Sequence, residues 1–179
     1  GQGICDVCSP HKNELSRAVA ACKVMPDVLV LNPTTLNGIF ETIMIISSKV
    51  GKETEGRELV ASLERRLNSV AKRAAATKKR VLCLEWLDPL FTAGHWVPEI
   101  VDLAGGINLA SNKGEHSRRL NLEEASRLDP DVLMLMPCGL DVGRTLEEMD
   151  PLISSKEWNS LRAVRNGDVY VLDSNAYFS

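Results

Sequence analysis

The residues best suited to recognising a ligand lie together in Leu84-Glu85-Trp86-Leu87-Asp88-Pro89-Leu90-Phe91-Thr92-Ala93-Gly94-His95-Trp96-Val97-Pro98-Glu99. Only 4% of the chain is aromatic, yet this run holds two of its three Trp, a Phe and one of its three His. A loop after a strand that carries flat side chains and a few polar groups is how α/β proteins build a pocket wall. The same Trp86 and Phe91 would also serve as ordinary core, because buried aromatics need no ligand. His95 and Glu99 stand four apart at a helix start, where Pro98 fits the first turn, so they share one face and a metal pair is conceivable. A solvated or cleft-lining histidine is the preferred reading. Catalysis by such a pair would need a nucleophile and an oxyanion site, and neither is recognisable, so no enzyme is expected. Cys5-Asp6-Val7-Cys8 has redox or zinc spacing and His11 offers a third ligand, but no second pair completes a site, which favours local packing.

Other chemistries are excluded more simply. No dinucleotide or nucleotide phosphate loop and no G-x-S-x-G elbow occur. A net charge of −3 and a pI near 5.7 argue against a nucleic-acid surface. The basic cluster Lys72-Arg73 with Lys78-Lys79-Arg80 suits the solvated end of a helix. No apolar run approaches the roughly 18 residues needed to span a bilayer, and no basic-then-apolar signal pattern is read within the sequence, which is expected to be a fragment. The five cysteines are odd in number and well spread, unlike a disulfide framework. On residues alone, a cytoplasmic location stays open.

The elements that must position these residues alternate between strand and helix. Pro26-Asp27-Val28-Leu29-Val30-Leu31-Asn32-Pro33 recurs as Pro130-Asp131-Val132-Leu133-Met134-Leu135-Met136-Pro137. Each reads as an apolar strand buried on both faces and preceded by a helix, residues 13–23 and 121–128. Asn121 with Glu124 forms a capping pair for the second. Two such units, far apart in sequence, predict two similar α/β lobes. Between them, after a helix over 35–49, Leu59, Leu63, Leu67, Val70 and Ala74 make one apolar stripe along a helix over 54–76, about 34 Å long, able to brace both lobes. Beyond it come a strand over 80–85, a helix over 96–104, an extended piece near Asn108 and a strand over 131–136. Helices near 144–149 and 157–162 follow, and Asn166-Gly167 turns into a last strand over 168–172. This alternation predicts a three-layer α/β lobe.

The order lobe, long helix, lobe, with Phe91-Thr92-Ala93-Gly94 running into a helix that ends Leu103-Ala104-Gly105-Gly106, resembles the class III, helical-backbone substrate-binding proteins of ABC importers. The cobalamin-binding branch is most similar, through Cys5-Asp6-Val7-Cys8, the Leu84–Glu99 run, Pro130–Gly139, Arg165–Tyr170 and Asn175–Phe178. The resemblance implies an α/β fold of two three-layer lobes joined by a bracing helix. Residues 1–50 would be the remainder of an incomplete N-terminal lobe, 51–78 the inter-lobe helix and 79–179 the C-terminal lobe. It further implies a corrinoid such as cobalamin held in the inter-lobe cleft and delivered to an ABC permease without catalysis or a catalytic cofactor. Trp86 and Trp96 would face the macrocycle, Phe91 would pack behind them, and Tyr177 and Phe178, at the end of the last strand, would border the cleft. His95 would bond peripheral amides. Glu85, Glu99 and Glu115 are the candidates for docking to permease arginines. Periplasmic or extracellular placement also follows from the resemblance. The alternatives are a siderophore, haem or metal-ion binder on the same scaffold, with Cys5, Cys8, His95 and Glu99 as weak metal candidates, or a soluble module outside transport.

Overall fold

A computed structural model describes residues 12–74 and 78–177. Helix α1 (Lys12–Ala20) is followed by irregular chain and then by α2 (Leu36–Lys49) and α3 (Glu53–Arg73). The rest comprises β1 (Arg80–Leu87), β2 (Leu90–Thr92), α4 (Val97–Leu103), β3 (Ile107–Asn108), α5 (Leu122–Leu128), β4 (Val132–Leu135), α6 (Val142–Glu148), α7 (Asp150–Ile153), α8 (Lys156–Ser160), α9 (Arg162–Asn166), β5 (Val169–Val171) and α10 (Ser174–Tyr177). The fold is α/β, built on a mixed sheet of order β2-β1-β4-β5, with β3 also paired to β1. The β1, β3, β4 and β5 strands are parallel, and β2 returns antiparallel along the end of β1.

Alternation along the strands divides the core into two layers. Leu82 and Leu84 of β1, with Leu133 and Leu135 of β4, face Ala125, Trp158, Leu161 and Ala163 on the α5–α8–α9 side. Cys83 and Met136 face Val97 and Val101 of α4 on the other side. Cys83 is buried there, which pushes its thiol up to about 12. Helix caps match the residue types: Asn121 Oδ1 accepts from Glu124 N at 2.8 Å, and Thr35 Oγ1 accepts from Gly38 N at 3.0 Å. Helices α2 and α3 cross closely because Gly56 has no side chain; a Cβ there would stand 2.2 Å from Ser47 Oγ.

Five expectations are corrected. Residues 27–32 form no regular strand: Leu31 makes an isolated bridge, and Val28 and Val30 are exposed. The 84–99 run is not a loop from its start, since β1 continues to Leu87, turns through a cis Asp88–Pro89 bond and comes back as β2. The helix expected over 157–162 is two short helices, because Leu161 takes an extended ψ of 134° to enter the core. The α3 stripe is only partly covered: Leu63, Leu67 and Ala74 are half-buried, whereas Leu59 and Val70 are exposed. That helix packs on α2 and touches α4. Against the reading of the cysteines, Cys138 is disulfide-bonded, while Cys22 and Cys83 are free.

Candidate functional site

The carboxyl-terminal ends of the strands carry the aromatic and imidazole side chains. Trp86 and Phe91 are opposite each other across β1 and β2, next to the Leu87–Leu90 pair that enters the core. Past the register shift between Leu84 and Trp86, Trp86 and Phe91 alternate with the core-facing Leu87 and Leu90. Both rings are half-buried, and Trp86 Nε1 donates to Asp88 O at 3.0 Å, which fixes the indole over the hairpin turn. Trp96 precedes α4, packs against the cluster formed by Cys83, Ala93, Val97, Val101 and Met136, and has its ring centroid 5.9 Å from that of His95.

Gly94 allows the next contact. A Cβ at Gly94 would sit 2.6 Å from both Glu115 O and Ser117 N, so only glycine lets the 93–96 backbone close against residues 115–117. Gly94 N donates to Ser117 Oγ at 3.2 Å, His95 N donates to Glu115 O at 2.6 Å, and Gly114 N donates to His95 O at 2.9 Å. These bonds hold His95 at φ 55°, a conformation uncommon for a side-chain-bearing residue. The two loops thereby bring His95 Nε2 to 3.2 Å from His116 Nδ1, with the rings edge to face. Burial lowers the His95 pKa, and the charge His116 can carry lowers it further.

The carboxylates are placed differently from one another. Glu85 is half-buried; burial raises its pKa against the opposing bonds from Ser117 and the Gly94 amide. Glu99 Oε2 accepts from Leu36 N at 3.1 Å, satisfying a first-turn donor of α2 from another element. Glu115 is exposed and accepts from Asn112 Nδ2 at 2.9 Å. Through Glu99, and through Gly114 beside Thr34 and Thr35, the start of α2 meets the histidine loops. Tyr177 is not at the end of the last strand as expected: it lies in α10, 72% exposed. Cys5, Cys8, His11 and Phe178 lie outside the described residues. Among the described residues no three His, Cys, Asp or Glu side chains converge on one point, and no helix is long and apolar enough to cross a membrane.

Residues 16–176 match the family described as periplasmic binding protein. The chain belongs to that family. Curated relatives that it resembles include the Fe(3+)-citrate-binding protein YfmC of Bacillus subtilis, 25% identical over 87% of this chain and 49% of that protein. The high-affinity heme uptake system protein IsdE of Staphylococcus aureus is 24% identical over 78% of this chain and 49% of its own length. The chain thus spans about half the length of the curated relatives it matches. Its fold is that of an ABC transporter substrate-binding protein from Listeria monocytogenes, with a TM-score of 0.76 and 20% identity over 93% of this chain and 65% of that one. The periplasmic vitamin B12-binding protein BtuF of Vibrio cholerae is similar too, with a TM-score of 0.64 and 19% identity, covering 91% of this chain and 61% of that one. The family is one of substrate-binding proteins, and its fold matches the α/β expectation from the sequence.

His116 and Ser117 escaped the sequence reading, which quoted Gly94 only as part of a motif run. His116 sits in an irregular, polar segment without periodicity, and its pairing with His95 depends on a close approach of two loops. The scarcity of histidine, three in the chain, was the one usable signal.

Proposed function

We propose that this chain is part of an ABC-importer substrate-binding protein that holds a flat metal chelate, a corrinoid in the first instance, in an inter-lobe cleft. In this reading residues 1–50 belong to one lobe, 51–78 to the bracing segment and 79–179 to the other lobe. The observation that carries it is the set of half-buried rings, Trp86, Phe91, Trp96 and His95, gathered at the carboxyl-terminal end of the sheet. Ligands of open α/β sheets bind at that end, and broad apolar faces with few polar groups suit a macrocycle. Tyr177 and Phe178 would border the cleft. Names of similar proteins span vitamin B12, heme and ferric citrate, so haem or a siderophore is the second reading. Of the three acids, Glu115 is the best placed to meet permease arginines, since Glu85 is half-buried and Glu99 is already engaged. The disulfide at Cys138 supports a site outside the cytoplasm, where such bonds persist.

Binding and release require no catalytic step here. The test is titration of the full chain with cobalamin while following Trp fluorescence, with haemin and a ferric siderophore as parallel arms. Saturable quenching by cobalamin supports the corrinoid, saturation by another arm alone replaces it, and no response in any arm contradicts the binding proposal.

A further inference from the structure

The His95–His116 contact is built rather than incidental. Two loops that share no helix or strand are locked together on both sides of it. Gly94 N reaches the Ser117 hydroxyl, His95 N reaches Glu115 O, and Gly114 N reaches His95 O. Ser111 Oγ donates to Ala93 O at 2.7 Å, and Asn108 Nδ2 donates to Ser111 O at 2.8 Å, which ties the incoming segment to the same point. Gly94 excludes a side chain where the loops touch, and His95 is held at positive φ. Strained backbone of this kind is kept where the surroundings over-determine it, commonly at ligand clamps.

The product of this framework is a pair of imidazole nitrogens facing each other at 3.2 Å. Two neutral imidazoles in that arrangement place one proton between the facing atoms, which one nitrogen donates and the lone pair of the other accepts. Nitrogens bound to one tetrahedral cation at about 2.0–2.1 Å lie about 3.3–3.4 Å apart. The spacing already matches two neighbouring positions on one ion, reached by a turn of the rings and a move of the shared proton to the other nitrogen of the ring that holds it, so that both facing lone pairs are free and both imidazoles stay neutral.

We infer that His95 and His116 form a two-imidazole site for a borderline divalent cation such as Zn2+, Ni2+ or Co2+, with its remaining positions open to water or an open-chain chelator. Imidazole suits these ions, whereas Mg2+ and Ca2+ prefer oxygen. The site is independent of the corrinoid proposal and sets a limit on it. A planar macrocycle occupies the equatorial positions of its metal and leaves two on opposite sides. Its metal can therefore accept one of these histidines but not both.

The test uses the full chain with thiols alkylated, Zn2+ as the probe and long-range proton–nitrogen NMR of the imidazoles, which three histidines make assignable. The expected result is a saturable, one-to-one shift of His95 Nε2 and His116 Nδ1, with no such shift on Mg2+. His116→Gln, at an exposed position, should weaken that binding about 100-fold, and His95→Gln should do the same. Shifts confined to His11, or unchanged Zn2+ affinity in His116→Gln, would overturn the site. Because Zn2+ is measured without cobalamin, failure here leaves the macrocycle titration standing, and failure there leaves this result standing.

Discussion

At the amino-terminal end of the sheet the polar groups are used up by the protein, whereas at the carboxyl-terminal end they retain capacity. At the amino end, Asp131 Oδ2 accepts from Arg80 N at 2.8 Å and Asp131 Oδ1 accepts from Arg162 Nη1 at 2.6 Å. Arg162 also pairs with Asp129, Arg80 Nη2 donates to Leu128 O at 2.6 Å, and Lys79 lies 3.7 Å from Asp168. At the other end, two imidazoles face each other, a half-buried carboxyl is pushed toward its neutral form, and two indoles keep part of their faces in solvent. One end joins strands to helices. The other spends backbone freedom at Gly94 and His95 to assemble side chains that do not need each other for stability. A crossed set of substitutions should therefore separate folding from binding.

The largest effect belongs to the core between the ends. Trp158 is 2% exposed, and Trp158→Ala should cost about 3–5 kcal/mol in denaturant unfolding, affecting both ends alike. Gly94→Ala comes next, at about 1–3 kcal/mol from overpacking against residues 115–117. It should also part the histidines, so the NMR contact between their rings should vanish while the amino end keeps its native shifts. Trp96→Ala should leave the unfolding midpoint much less changed than Trp158→Ala does, yet weaken ligand binding about tenfold or more, or about 1.4 kcal/mol. If binding suffered more from a conservative Trp158→Phe change, the proposed site would be wrong.

The smallest effects are in pH, and the two ends should differ in sign. The Asp131 carboxyl is held below its ordinary value of 3.8, first by the Arg80 amide and further by Arg162. Its contribution to stability is complete above that value and is lost as pH falls through the depressed one. Glu85 behaves oppositely: burial raises it above 4.5, so its contribution is present below that value and is lost as pH rises through the raised one. Thermal melts should show Asp131→Asn less stable than the parent near neutrality, with the gap closing in acid. Glu85→Gln should be more stable near neutrality, again converging in acid. Gaps of the same sign would erase the distinction between the two ends.

Local signals carried well from sequence to structure, and non-local ones did not. The α5 helix and its Asn121 cap were legible because apolar spacing and a capping side chain are properties of neighbouring residues. Pro26–Pro33 and Pro130–Pro137 have the same pattern, yet only the second contains a strand. A strand exists through its partners: β1 and β5 flank Val132–Leu135, whereas Val28 and Val30 stay exposed and the segment makes only an isolated bridge at Leu31. The β2 strand is three residues long and lies between a proline turn and Gly94, too short for alternation to reveal. At the site, Trp86, Phe91, His95 and Trp96 stood out by type and clustering, whereas His116 became visible only through the loop contact at Gly94.

The central claim is that ligand recognition belongs to the carboxyl-terminal end of the sheet. Amide chemical-shift mapping of the labelled chain during a cobalamin titration tests it most directly. The account predicts saturable shifts over residues 86–96 and 113–117, with 128–131 and 162–168 unmoved. Shifts concentrated around Asp131 and Arg162, or none in either region, would contradict it.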